Sequence, residues 1–171
     1  LVTRDIDVLS RLAAHQAVRV TLSITTLRQD LSQTMEPRAS TPAARLAAVR
    51  ALADAGIRVG VAVAPVLPGI TDDPDALAAV VRAAAAAGAS HVWHGALNLG
   101  TITRDAYFAF LASTRPELVQ RYERLFGRGR YAEPAYVRQV AGRVHAACRT
   151  TRFARYRALA PDDAGAQLAL L

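Results

Sequence analysis

Ser23, Thr25, Glu36 and Arg45 offer two hydroxyls, a carboxylate and a guanidinium within a short stretch of chain. Ser23 and Thr25 alternate with Ile24, so in a β-strand both hydroxyls point to one face and Ile24 to the other. On a face turned into a barrel they could hydrogen-bond a ribose or a carboxylate. On any other face they bond to neighbouring backbone, as strand hydroxyls commonly do. Glu36 precedes Pro37, which holds it extended and out of helix. Arg38 or Arg45 can pair with it, and an exposed loop ion pair by itself contributes little.

Ala64-Pro65-Val66-Leu67-Pro68-Gly69-Ile70-Thr71-Asp72 is a second chemical segment. Its prolines and glycine stiffen a strand end and leave backbone N–H and C=O groups without ladder partners, suited to a flat base edge. Asp72 or Asp73, before Pro74, caps the helix that follows. In a third segment His91 and His94 have odd spacing and fall on opposite faces of a strand, so they do not share a metal without a bulge. His94 or Asn98 is the better placed of these for a pocket, and structural roles suit both histidines. His15 and His145 lie on expected helices with no acidic or histidine companion in sequence, so no triad or metal motif forms. Cys148 sits on the apolar stripe of its helix as a small core residue.

The elements that must position these residues include a repeat. Leu52-Ala-Asp-Ala-Gly56-Ile-Arg-Val-Gly-Val-Ala-Val parallels Ala84-Ala-Ala-Ala-Gly88-Ala-Ser-His-Val-Trp-His-Gly. Each is a helix end, a glycine suited to the left-handed C′ position and a β-rich run. Leu46, Val49 and Ala53 share one helix face; Leu77, Val80, Val81 and Ala84 share the next. Strands are expected at about 18–25, 57–66 and 91–98, nearly continuous in apolar residues as parallel strands buried on both faces require. Strand–helix–strand–helix–strand with right-handed crossovers gives a parallel α/β unit, half a barrel or a small open sheet. Half a barrel leaves raw edges, which argues for a missing N-terminal segment or a complementing chain.

Ahead of the first strand, Asp5 can cap a helix carrying Ile6, Leu9, Leu12 and Ala13 on one face. Thr41-Pro42 is a strong helix start, hydroxyl at N-cap and proline at N1. Beyond residue 100 the pattern turns helical. Tyr107, Phe108 and Leu111 mark one helix. Pro116 opens another with Leu118, Val119, Tyr122 and Phe126 on a stripe. Gly127-Arg-Gly-Arg130 breaks the chain, and Pro134 starts a long helix through Val137, Val140, Ala141, Val144 and Cys148. The expected division is 1–100 for the α/β part, 101–157 for a helical extension and 158–171 for a flexible tail.

With 171 residues, 52% of them apolar, the chain can bury an ordinary core. No apolar run reaches the ~20 residues that span a bilayer, and no leader is visible, so the expectation is a cytoplasmic protein without a membrane partner. The single cysteine excludes an internal disulfide and a Cys-rich metal site. All 21 basic residues are arginine, and the net charge of +7 favours anionic partners without choosing among them. Arg121, Arg124 and Arg128 share a helix face, and Arg149, Arg152, Arg155 and Arg157 crowd the C-terminal end. Tyr122, Tyr131, Phe153 and Tyr156 are interleaved with them. A solvated face with packing aromatics is the usual meaning; contact with nucleic acid, bases stacked on the rings, is the sharper one.

Together these segments resemble a radical S-adenosylmethionine (SAM) family related to spore photoproduct lyase. The motifs are S-x-T-T, E-P followed by a T-P-x-x-R-L helix start, A-G-I-x-V-G-V and A-P-V-x-P-G-x-T-D. Looser matches are L-N-L, F-x-x-x-L and R-P-E-L-V-x-R-Y-E-R-L-F-G-R-G-x-Y-A. The likeness is dense over 18–73 and looser to about 150. It implies an α/β fold, the C-terminal half of a partial (β/α)6 TIM-like barrel with about three parallel strands, followed by a helical C-terminal region. It also implies SAM and a [4Fe-4S] cluster as cofactors, and a 5′-deoxyadenosyl radical acting on a substrate that the sequence does not name. By position, Ser23 and Thr25 would contact SAM, and Ala64, Pro65 and Val66 would border its adenine. Glu36 and Arg45 would brace the wall. The family's C-x-x-x-C-x-x-C triplet is absent, and thiolates are what hold such clusters. Thr71 stands where relatives often carry asparagine. The expectation is a fragment that becomes an enzyme only when completed; a non-catalytic α/β module binding an anion such as nucleic acid is the alternative.

Overall fold

The computed structural model describes residues 2–154. Among them three strands, β1 (Val20–Ser23), β2 (Val59–Val66) and β3 (His91–Ala96), form one parallel sheet in the order β1-β2-β3. Around them run α1 (Ile6–Ala14), α2 (Gln29–Met35), α3 (Pro42–Asp54), α4 (Pro74–Ala86), α5 (Thr101–Thr114), α6 (Val119–Phe126) and α7 (Pro134–Arg149). The α/β unit and the helical C-terminal region are both present, as a partial barrel requires. The expected tail at 158–171 lies outside the described residues, as do Arg155, Tyr156 and Arg157.

Local chemistry sets the element ends. Thr41 Oγ1 accepts from Ala44 N at 3.2 Å and Pro42 fills N1 of α3. Asp73, not Asp72, caps α4, accepting from Ala76 N at 2.9 Å. Asp5 stands at the N-cap of α1 but gives it no side-chain bond. Its carboxylate is taken by Arg4 at 2.9 Å, in an exposed pair. Both repeat glycines close their helices in the left-handed region, Gly56 at φ 74° and Gly88 at φ 92°. There the next amides reach back, Ile57 N to Leu52 O and Ala89 N to Ala84 O, both at 3.0 Å.

The register decides which face does what. Thr21, Gly60 and His91 are level, as are Ser23, Ala62 and Trp93, and side chains level in a parallel ladder share a face. The other face carries Val20, Leu22 and Ile24 with Val59, Val61, Val63 and Val92, and α3, α4 and α7 pack against the sheet. Burial on both faces therefore holds for β2 but not for β1 and β3. Thr21 and Ser23 are exposed, and Trp93 is 59% exposed. Helices on one side and small residues on the centre of the other are what an opened barrel looks like, its would-be interior being the Gly60-Ala62-Ala64 face. His91 lies across Gly60, where an added Cβ would come within 2.5 Å of its ring.

Candidate functional site

At the C-terminal ends of the strands, where parallel α/β folds bind ligands, a pocket of about 180 Å³ opens. Its polar wall is Thr25, Thr26, Ser32, Glu36 and Thr71. Leu31, Met35, Pro65, Leu67, Leu97 and Tyr107 make the apolar wall.

Arg45 builds the polar wall. Projecting from α3, its guanidinium donates to Ser40 O at 3.0 Å through Nε, to Ser23 O at 2.8 Å through Nη1, and to Glu36 Oε2 through Nη2. Of the two arginines that could pair with Glu36, Arg45 does. One buried-stem cation thus fixes the end of β1, the segment before α3 and the pocket carboxylate together. Ile24 is 1% exposed in the core while Ser23 faces solvent and Thr25 faces the pocket, the alternation read from the sequence.

The β2 end behaves differently from expectation. Its backbone donors are not left open to a ligand. Thr71 Oγ1 accepts from Leu67 N, and Asp72 Oδ1 accepts from Gly69 N, both at 2.8 Å. Ile70 N and Thr71 N return to Leu67 O at 3.1 and 3.0 Å. Buried amides without ladder partners must be satisfied, and here the loop's own side chains do it. The β2–β3 register skips Ala64 and Pro65 between Val63 and Val66, and the Ala64–Pro65 peptide is cis. Pro65 lines the pocket and is exposed; Ala64 is partly buried on the open face; Val66 puts its side chain in the core at 0% exposure. Its carbonyl accepts from Leu97 N at 3.0 Å.

Of the seven residues singled out, Thr25, Glu36 and Pro65 line one pocket, and Ser23 and Arg45 join it through hydrogen bonds. Neither His94 nor Asn98 reaches it. Asn98 Oδ1 accepts from Arg130 Nε at 3.2 Å, and His94 meets His145 across 3.3 Å on the helical side of the sheet. His145 thus has a histidine companion that sequence spacing did not reveal. Burial, and to a lesser extent His145, pushes the His94 imidazole below its usual range. Sequence spacing does not reveal Leu31, Ser32 and Met35 as pocket residues, because the mostly polar seven residues of α2 bury only Leu31 and carry no apolar stripe. Tyr107, one of the residues that mark α5, lines the pocket and shares a hydroxyl contact of 3.1 Å with Tyr122.

Residues 1–81 match the model of the radical SAM superfamily. That segment holds β1, β2, α3 and most of the pocket. An uncharacterized protein of Mycobacterium tuberculosis (strain H37Rv) is 36% identical over 168 residues, 98% of this chain and 49% of its own length. An uncharacterized protein of Mycobacterium bovis gives the same figures. One from Acidianus two-tailed virus is 43% identical over 68 residues, 40% of this chain and 22% of its own. The chain spans about half the length of the mycobacterial relatives. No solved structure matches.

The radical SAM superfamily implies SAM and an iron–sulfur cluster, and the residues fit the two unequally. Among the described residues no group of three His, Cys, Asp or Glu side chains could hold a metal ion. Cys148, on α7, is half-buried against the core, and burial raises its thiol pKa, the opposite of what a thiolate ligand needs. The described residues do not fit a cluster. The pocket fits part of SAM: hydroxyls and a carboxylate on one wall suit a ribose, and Pro65, Leu67 and Leu97 suit a base. No described helix is long and apolar enough to cross a membrane.

Proposed function

We propose that this chain supplies part of the SAM site of a radical SAM enzyme, with the cluster's thiolates coming from protein outside it. The observation that carries this reading is the coincidence of the strand-end pocket with the superfamily match over 1–81. Thr25 and Glu36 would hydrogen-bond the ribose hydroxyls. Arg45 would hold Glu36 facing the pocket, and Ser23 would mark the end of the strand beside it. Ala64, Pro65 and Val66 would form the ledge under the adenine, with Leu67 and Leu97 excluding water behind it. Bound SAM supplies radical hydrogen-abstraction chemistry; the protein's share is to bind, orient and dry the nucleoside. The relation to spore photoproduct lyase rests on the sequence motifs, and a nucleic-acid substrate on that relation and on the arginine surface.

Thermal unfolding of the chain with millimolar SAM tests the reading, because a ligand that binds only the folded state raises Tm. A rise in the wild type that shrinks in Thr25→Val and Glu36→Gln supports it. No rise, or an equal rise in both variants, overturns it.

A further inference from the structure

His94 on β3 and His145 on α7 bring their Nε2 atoms to 3.3 Å, with ring centroids 5.1 Å apart and planes at 73°. Two nitrogens bound to one tetrahedral Zn²⁺ at about 2.0–2.1 Å lie about 3.3–3.4 Å apart. The 3.3 Å separation therefore matches the bite of two imidazoles on one such ion. The pair is solvent-accessible, which leaves water to complete a shell, and it is separate from the strand-end pocket. Among the described residues no third His, Cys, Asp or Glu joins it.

We propose that His94 and His145 form a two-histidine chelate for a borderline divalent cation of the Zn²⁺ class, water filling the remaining positions. Imidazole suits Zn²⁺, Cu²⁺ and Ni²⁺ and not the hard ions Mg²⁺ or Ca²⁺. The chelate would pin α7 to β3. These elements already pack together, and α7 also packs on α4. The cation would therefore act as a clasp that locks the helical C-terminal region to the sheet.

The test is thermal unfolding of the tag-free chain with Zn²⁺, with Mg²⁺ as control, for wild type, His94→Gln and His145→Gln. The expected result is a Tm rise of about 5 °C or more at a hundredfold excess of Zn²⁺ over Kd. It should be absent with Mg²⁺ and lost in each variant. Competition against a chromophoric zinc indicator, run in parallel, should count one Zn²⁺ per wild-type chain and none per variant. No rise in the wild type overturns the proposal, as does a rise or a zinc count that both variants retain. SAM binding at the strand-end pocket is read separately and does not enter either result.

Discussion

Arg121 Nη2 donates to Asp72 Oδ2 at 2.8 Å, so a residue of α6 holds the loop that leaves β2. Tyr136 OH of α7 donates to the same oxygen at 3.2 Å, and Arg143 Nη1 donates to the Asp72 carbonyl. Asp72 therefore joins the pocket's β2 loop to α6 and α7. Its side chain is 8% exposed, against 40% for Arg121. A buried carboxylate with three hydrogen-bond partners differs from a surface pair, and the effect of removing each member should differ accordingly.

Asp72→Ala removes the acceptor for Gly69 N, Arg121 and Tyr136 at once. We expect a loss of about 3 kcal/mol, the usual range for breaking one side of a buried charged network. Arg121→Ala, whose partner keeps Tyr136 and Gly69 N, should lose about 1 kcal/mol. Urea unfolding checks both values. Equal losses for the two variants would remove Asp72 from the centre of the network.

Two buried phenols set an alkaline limit. Burial first, and then the Tyr107 hydroxyl contact, raise the pKa of Tyr122; burial first, and then the Asp72 carboxylate, raise that of Tyr136. A folded-state pKa above the unfolded value contributes stability that is complete below about pH 10 and lost as pH rises through the folded pKa. Stability should therefore begin to fall above about pH 10. Tyr122→Phe and Tyr136→Phe should each flatten that fall. Chemical denaturation across the alkaline range, with phenolate absorbance followed in parallel, measures it.

The sequence made the strand–helix repeat legible because Gly56 and Gly88 each end a helix and start an apolar run. The Thr41 cap and the alternation of Ser23, Ile24 and Thr25 were legible for the same reason: their physics is local. What was not legible depends on distant partners. His145 looked solitary because His94 lies on another element. Arg121 looked like one of a solvated row, and it reaches back to Asp72. For Tyr122 the packing meaning of its stripe holds and the base-stacking alternative does not, since it is 0% exposed. The loop amides after β2 looked open because nothing in A-P-V-L-P-G-I-T-D announces that Thr71 and Asp72 turn inward.

Arg45→Lys separates charge from geometry at the pocket wall. Lysine keeps the cation and loses the fork that reaches Ser23 O, Ser40 O and Glu36 together. We expect a stability loss of about 1–2 kcal/mol, equivalent to one or two hydrogen bonds. SAM affinity should fall with it, because Glu36 is no longer held. Glu36→Gln should weaken binding with little change in stability, since that carboxylate is half-exposed. Denaturation and calorimetric titration of the two variants give the pattern. A loss of SAM affinity in neither would detach the wall from the site.

Two glycine-to-alanine changes should move stability in opposite directions. Gly88 sits at φ 92° with an added Cβ 2.8 Å from the Ala53 Cβ, a methyl that cannot swing away. Strain in the left-handed region and the clash add, so Gly88→Ala should cost about 1–3 kcal/mol. Gly142 lies inside α7, and an added Cβ there meets nothing within 4 Å. Alanine suits a helix interior better than glycine by about 0.5–1 kcal/mol, and it also restricts the unfolded chain. Gly142→Ala should therefore raise Tm by about 1–4 °C. Thermal melts of the two variants beside the wild type decide it. A stabilising Gly88→Ala would mean that the helix α4 terminus relaxes in a way the close approach to α3 does not allow.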